Sequence, residues 1–211
     1  MVEVVEIARG DRKGINDFVD LPFRLYRNVP QWVPPFRSGM QKILTRSHPF
    51  FAHSEAAFYL ALRRGSPVGR ISVFENRRFN SHRNRREARF YHFECREDDG
   101  AAEALIEAAV DWAHRRGLTQ LQGPHGLSGM DGSGIQIEGF EHRATMTMMH
   151  YNQPYYSRFF ERGGFSKVRD YFTAQISREG FTMPEKIRRV AEIHYKRGRF
   201  RVPRLRSKRA I

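Results

Sequence analysis

The stretch from Arg89 to Gly117, "RFYHFECREDDGAAEALIEAAVDWAHRRG", constrains this chain more than any other. Leu105, Ala108, Ala109, Trp112 and Ala113 fall at i, i+3, i+4, i+7 and i+8, so a long helix carries one apolar face that must be buried. Gly117 is a natural stop for it. The run "RFYHFEC" ahead of the helix reads as a strand, and Glu97-Asp98-Asp99-Gly100-Ala101-Ala102 is a small-residue turn joining the two. A helix N-terminus holds free N–H groups and about half a unit of positive charge, which attracts anions. Gly100, Ala101 and Ala102 would let a phosphate approach the backbone. The acids point another way. Asp98 and Asp99 suit the cap and first turn of an ordinary helix. A carboxylate about 4 Å from a phosphate opposes binding by up to ~4 kcal/mol at an intermediate dielectric. Local chemistry leaves both readings open.

The remaining chain supplies partners for that unit. "VEVVEIA" alternates as a first strand, and "INDFVDLPFRLYRN" has helical spacing that Pro22 is expected to kink or divide. "VPQWVPPFR" is extended and proline-rich. "AFYLALRRGSPVGRISVFEN" is a hairpin joined at Arg64-Gly65-Ser66-Pro67, and "RRFNSHRNRREA" is a polar, basic connection. After the long helix, "LTQLQGP" reads as a short strand and "HGLSGMDGSG" as a flexible loop. "YYSRFFERGG" follows as a short helix, "FSKVRDYFTAQIS" as a strand, and "MPEKIRRVAEIHYKRG" as a last helix from Pro184 to Gly198. This order is that of a mixed α/β domain.

Composition narrows the class. Hydrophobic residues at 40%, with 17 Phe and 8 Tyr, can build a globular core. No apolar run is long enough to span a bilayer and the start lacks a signal-peptide layout, so a cytoplasmic protein without a membrane partner is expected. Cys95 is the one cysteine, which excludes an internal disulfide. The nine histidines show no ligand spacing, so no metal site is expected. Ser128 lacks the strand-turn-helix context of a hydrolase serine. The net charge of +14 is uneven: Arg178 to Ile211 holds 12 basic and 3 acidic residues. The last sixteen residues, 196–211, hold eight basic residues and no acid, a tail able to attract nucleic acid or an anionic surface.

Two motifs together resemble the GNAT superfamily of acyl-CoA-dependent N-acetyltransferases. That family's phosphate turn, Gln/Arg-x-x-Gly-x-Gly/Ala, is similar to Glu97-x-x-Gly100-x-Ala102 here. Its later motif is similar to "YNQPYYSRFFERGGF", with Asn152 and Gly164-Phe165 matching and Phe160 where the family has Tyr. The Val68-Gly69-Arg70-Ile71 hairpin also looks like the family's, and the likeness runs from Val2 to Ser177. Phrases such as "LPFRLYRNVPQWVPP" and "HPFFAHSEAAFYLA" are similar to those of bacterial proteins about twice this length with tandem GNAT-like domains. The resemblance implies a mixed, mostly antiparallel, splayed sheet flanked by helices. It also implies a GNAT-like domain over 1–180 and a basic helical extension or linker over 181–211, leading to a downstream domain.

For the site, the resemblance implies that backbone groups around Phe93 and Cys95 pair with the pantetheine arm of acetyl-CoA. The amides of Gly100, Ala101 and Ala102 would hold its pyrophosphate, with Asn152 and Phe160 in the later motif lining the same co-substrate. Glu94, at the strand end, is the candidate general base for an amine, or else a salt-bridge partner for a nearby arginine. Phe160 has no hydroxyl to protonate a leaving thiolate. Tyr156, one turn earlier, is the candidate replacement. Cys95 is expected to be a buried thiol rather than a nucleophile. Loops 31–55 and 123–150 would choose the small-molecule or protein amine. Three functions remain in view: transfer of acetyl from acetyl-CoA to an amine, a catalytically silent GNAT-like scaffold, and nucleic-acid binding through 196–211.

Overall fold

A computed structural model describes residues 1–143, 148–174 and 177–198. The chain divides into two compact units, Met1–Val168 and Arg169–Ile211. The first unit is built on a five-stranded sheet in the order β1-β2-β3-β4-β5: β1 (Val2–Glu6), β2 (Ser54–Arg63), β3 (Ser66–Asn76), β4 (Glu87–Cys95) and β5 (Gln120–Gln122). The first four strands run antiparallel and β5 is parallel to β4. Arg64 and Gly65, both at positive φ, form the two-residue turn of the β2–β3 hairpin, whose backbone twist matches the strands it joins.

Helices cover both faces. On one side lie α1 (Arg12–Leu25) and α2 (Arg37–Leu44), whose Ile15, Phe18, Met40 and Leu44 join Phe58 and Phe74 of the sheet. Asp11 caps α1 by accepting from the Gly14 N–H at 2.9 Å. The expected break at Pro22 does not occur. The helix carries a buried Pro22 and ends three residues later, with the Tyr26 N–H donating back to the Pro22 carbonyl. Two helical pieces were not legible in the sequence: α2 itself and α3 (Arg77–Arg83), which starts on an Asn76 cap inside the basic connection. A single 3₁₀ turn, Pro49–Ala52, also lies in the first loop region.

On the other side, α4 (Asp99–Arg115) buries Leu105, Ile106, Ala109, Trp112 and Ala113 against the sheet, with α5 (Tyr156–Arg162) beside it. Full burial of a side chain such as Leu105 contributes about 1.5–3 kcal/mol, and Leu105 is wholly covered. The strand expected over 165–177 is absent among the described residues. Val168 and Phe172 are exposed and no neighbouring strand pairs with them, and an isolated strand has nothing to satisfy its backbone. The second unit contains α6 (Glu185–Lys196). Of the basic tail 196–211, only 196–198 are among the described residues.

One glycine reveals how closely α4 lies on the sheet. A Cβ at Gly69 would come within 2.8 Å of Leu105 Cδ1 and 3.0 Å of Cys95 Sγ, both fully buried. A Cβ at Gly100 would meet nothing nearer than 3.7 Å. Gly69→Ala is therefore expected to destabilise the protein by about 1–3 kcal/mol through overpacking, and Gly100→Ala to be neutral or stabilising. Urea unfolding of the two variants checks this. Equal midpoints would remove the close helix–sheet contact from the account.

Candidate functional site

The site grows from an irregularity in β4. The pairing runs Phe74↔Arg89, Val73↔Phe90 and Ser72↔Tyr91, then resumes as Arg70↔Glu94 and Gly69↔Cys95, so β4 carries one extra residue opposite Ile71. The bulge falls at His92, whose φ is +50° and whose Nδ1 lies 2.9 Å from Ser72 Oγ. An extra residue reverses the alternation of faces. Before it Ala88 and Phe90 face α4; after it Phe93 and Cys95 do, and Glu94 is turned to the α1 side.

There Glu94 meets groups from three elements. Tyr26, at the C-cap of α1, donates its hydroxyl to Glu94 Oε2 at 2.6 Å. Tyr156, the first residue of α5, donates to the same oxygen at 2.8 Å and accepts the Cys95 N–H at 2.8 Å. Arg70, on the facing strand, lies 3.9 Å from Glu94 Oε1. Burial raises the Glu94 carboxyl above its usual range, with Arg70, Tyr26 and Tyr156 pulling the other way. Burial likewise pushes both tyrosines well above the usual phenol value, so they remain donors at neutral pH. Of the two alternatives for Glu94, the ion pair with an arginine is present in the structure, and the carboxylate stands at the strand end where a general base was expected.

Arg70 itself is almost completely covered. Its Nη1 donates to the Phe18 carbonyl at 2.6 Å and approaches Met40 Sδ at 3.0 Å, and its guanidinium stacks over the Phe18 ring at 4.8 Å. Its Nε–H has no partner among the described residues. Outside this network an aromatic wall forms. Trp32 stacks on Tyr26 at 5.0 Å, Phe23 meets Trp32 edge-on at 5.3 Å, and Tyr151 meets Tyr26 at 6.0 Å. Trp32 comes from the first loop assigned to substrate choice, and Tyr151 directly follows the second.

The sheet opens on the other side of β4. Strand β5 pairs only with Glu87–Arg89, followed by one further bond from the His125 N–H to the Phe90 carbonyl at 2.9 Å. The side chains of α5 occupy the opening. Phe160 packs on Phe90 and Phe93 with centroids 5.2 and 4.8 Å apart, and Tyr156 packs on Phe93 at 5.2 Å. The Cys95 N–H and carbonyl, the groups expected to pair with a pantetheine arm, are bonded to the hydroxyls of Tyr156 and Tyr155. The Cys95 thiol is buried and pushed up to about 12, so it stays protonated. Asn152 is buried and ties the loop at Gln136 to the segment ahead of α5. It accepts from the Gln136 N–H at 2.6 Å and donates to the Gln136 carbonyl at 3.2 Å.

At the turn, each acid has found a cation. Asp98 caps α4 by accepting from the Ala101 N–H at 3.1 Å, and its two oxygens receive Arg63 at 2.7 and 2.8 Å. The hydrogen bonds from Arg63 hold its carboxyl below the usual range. Glu97 and Asp99 pair with Arg158, and Asp99 also with Arg162. Ala101 and Ala102 are buried beneath, while Gly100 leaves the backbone open. Among the described residues no group of acids, histidines and cysteine could hold a metal ion.

Sequence reasoning named Glu94 and Tyr156 but missed Tyr26, Tyr155 and Arg70. Arg70 left a signal, as the one charge inside the apolar run "VGRISVF". Tyr26 lies 68 residues from Glu94 and left none.

No family model matches the chain. It is 31% identical over 183 residues to the bacterial ceramide synthase of Caulobacter vibrioides, covering 86% of this chain and 46% of that protein. It is 24% identical over 182 residues to protein YghO of Escherichia coli, again covering 86% of this chain and 46% of the relative. The chain thus spans about half the length of the curated relatives it matches. Among solved structures, a tandem GNAT protein from the clavulanic acid biosynthesis pathway superposes with a TM-score of 0.54 at 17% identity, over 78% of this chain and 43% of that one.

The raised Glu94 carboxyl yields a stability test. Folding favours its protonated form, so the contribution is full below the ordinary value of 4.5 and is lost as pH rises through the raised folded-state value. The stability of Glu94→Gln relative to wild type should therefore improve with rising pH across that window. Urea midpoints at stepped pH measure it, and a constant gap would show that burial does not govern this carboxyl. Tyr26→Phe, which removes one donor from a buried carboxylate, should cost about 1–3 kcal/mol at neutral pH.

Proposed function

This chain has the fold of the GNAT superfamily, and on that premise we propose that it is an acyl-coenzyme A-dependent N-acyltransferase in which Glu94 takes the proton of the attacking amine. The observation that supports this reading is one carboxylate oxygen held by two tyrosine hydroxyls at the end of β4, with its proton affinity raised by burial. A carboxyl moved towards neutral pH is a better general base there than an exposed one. In the proposed step the amine nitrogen attacks the thioester carbonyl carbon, a C–N bond forms and the C–S bond breaks. Glu94 receives the N–H proton, directly or through a water. Tyr156 gives its hydroxyl proton to the leaving sulfur and recovers one from Glu94 along their 2.8 Å hydrogen bond. The proton lost by the amine so ends on the thiol. Cys95, protonated at neutral pH, takes no part as a nucleophile, which favours direct transfer over an acyl-enzyme.

The groups that would hold the co-substrate are the Phe93–Cys95 edge of β4, the amides of Gly100, Ala101 and Ala102, and the later-motif residues Asn152 and Phe160. Acetyl-CoA is the simplest donor. For the acceptor, the similarity to a protein named a ceramide synthase suggests a chemical class. A ceramide is the fatty amide of a long-chain amino alcohol, and the aromatic wall of Phe23, Tyr26, Trp32 and Tyr151 would suit an apolar chain beside Glu94.

A second reading, a catalytically silent domain supporting another, has its own observation. Both cofactor features are filled by protein groups: Asp98 sits on the amides of α4, and Tyr155 and Tyr156 cap Cys95. Calorimetric titration of acetyl-CoA and a long-chain acyl-CoA separates the two. The transferase reading expects saturable binding that Gly100→Glu abolishes, and amine-dependent thiol release with a long-chain amino alcohol. Glu94→Gln should lower kcat by about 10²–10⁴-fold while leaving donor affinity near wild type. Absence of binding at millimolar donor would sink the transferase and leave the scaffold.

A further inference from the structure

Helix α6 carries an apolar stripe. Ile187, Val190, Ala191 and His194 recur at i, i+3, i+4 and i+7, with Ile193 beside them, and no residue of the helix is buried. Ile187, Val190 and Ile193 are 56%, 48% and 40% exposed. The opposite face carries Arg188, Arg189 and Lys196 with Glu185 and Glu192, and Lys186 falls between Val190 and Ile193 on the helix surface. Phe181 and Met183, just ahead of Pro184, are also about half exposed. The sequence from Arg178 to Ile211 has 12 basic residues against 3 acidic ones.

A helix of 12 residues is marginal in water by itself, so an apolar face of this kind marks a helix that gains its stability by lying on something. We propose that α6 forms an interfacial anchor for an anionic lipid surface, with Ile187, Val190 and Ile193 set into the headgroup boundary and Arg188, Arg189 and Lys196 towards the anionic headgroups. The charge selects the surface. A helix of low overall hydrophobicity with an apolar stripe and an excess of basic over acidic residues has the signature of one that lies in the plane of a membrane. Clustered Lys and Arg add attraction to anionic lipid that neutral lipid does not offer. A nucleic acid would use the basic residues and leave the apolar face without a role. The absence of a membrane partner expected from the sequence rested on the lack of a spanning run and of a signal-peptide layout, and lying on a surface requires neither. No described helix is long and apolar enough to cross a membrane. The anchor does not depend on the transferase reading and stands if that reading fails.

The test uses the full 211-residue chain with Val190→Trp, reading the emission difference from the parent. Vesicles of phosphatidylcholine alone are compared with vesicles that also contain phosphatidylglycerol. The expected result is a solvent-like emission without vesicles, a blue shift with the anionic vesicles only, and quenching by brominated lipid. Co-sedimentation of a second variant, Ile187→Ser/Val190→Ser/Ile193→Ser, should show binding weakened by about tenfold or more with the first unit still folded. Three results would overturn the proposal: a blue shift before any lipid is added, which means protein covers the face; no binding to anionic vesicles; or binding that the serine variant leaves unchanged, which means charge alone acts, as it would on nucleic acid.

Discussion

One extra residue in β4 sets the geometry of everything around it. Opposite Ile71 the strand spends two residues where its partner spends one, and His92 takes up the difference in a left-handed conformation. Were the same residues to run through in regular alternation, without a bulge, Glu94 would share a face with Phe90 and sit in the apolar layer beneath α4, where a carboxylate has no partner. With it, Phe93 and Cys95 continue the apolar layer, and Glu94 is delivered to Tyr26, Tyr156 and Arg70. The bulge also sits where β5 leaves β4, so the turned carboxylate and the opening of the sheet occur together.

The second determinant is how buried charge is compensated. Arg70 and Glu94 face each other at 3.9 Å, a loose pair, and each relies on neutral partners: a carbonyl and an aromatic ring for the cation, two hydroxyls for the anion. Such a network is costly when one member is lost, because the remaining charge stays buried. The acids of the α4 turn are handled in the opposite way. They are largely at the surface, and Arg63, Arg158 and Arg162 neutralise them one by one. A phosphate arriving at Gly100 would compete with Asp98 for the same amides, yet it would find three guanidinium groups already gathered.

How much of this was legible depended on range. The α4 helix, the β2–β3 hairpin, β4 and the Asp98 cap are local, and periodicity or a capping residue announces each. Helix α2 escaped because its eight residues hold a single apolar repeat, Met40, Ile43 and Leu44, and α3 because it is short and strongly charged. Pro22 misled because the Phe18 carbonyl that its missing N–H leaves free accepts the Arg70 guanidinium instead. The run after Phe165 looked like a strand because propensity registers side chains and not the neighbour that a strand needs.

The sequence by itself determined the parts: a mixed α/β domain, an acidic small-residue turn opening a long helix, Glu94 at a strand end, Tyr156 on a short aromatic helix, and a basic C-terminal segment. It did so because those features are set by residues within a few positions of one another. Only the tertiary structure decided which face Glu94 takes, that Tyr26 reaches it across 68 residues, and that Tyr155 and Tyr156 close the backbone of Cys95. A bulge is a property of the pairing of two strands, and a contact between α1 and β4 is a property of how they pack on the sheet. Neither leaves a mark on any local pattern of side chains.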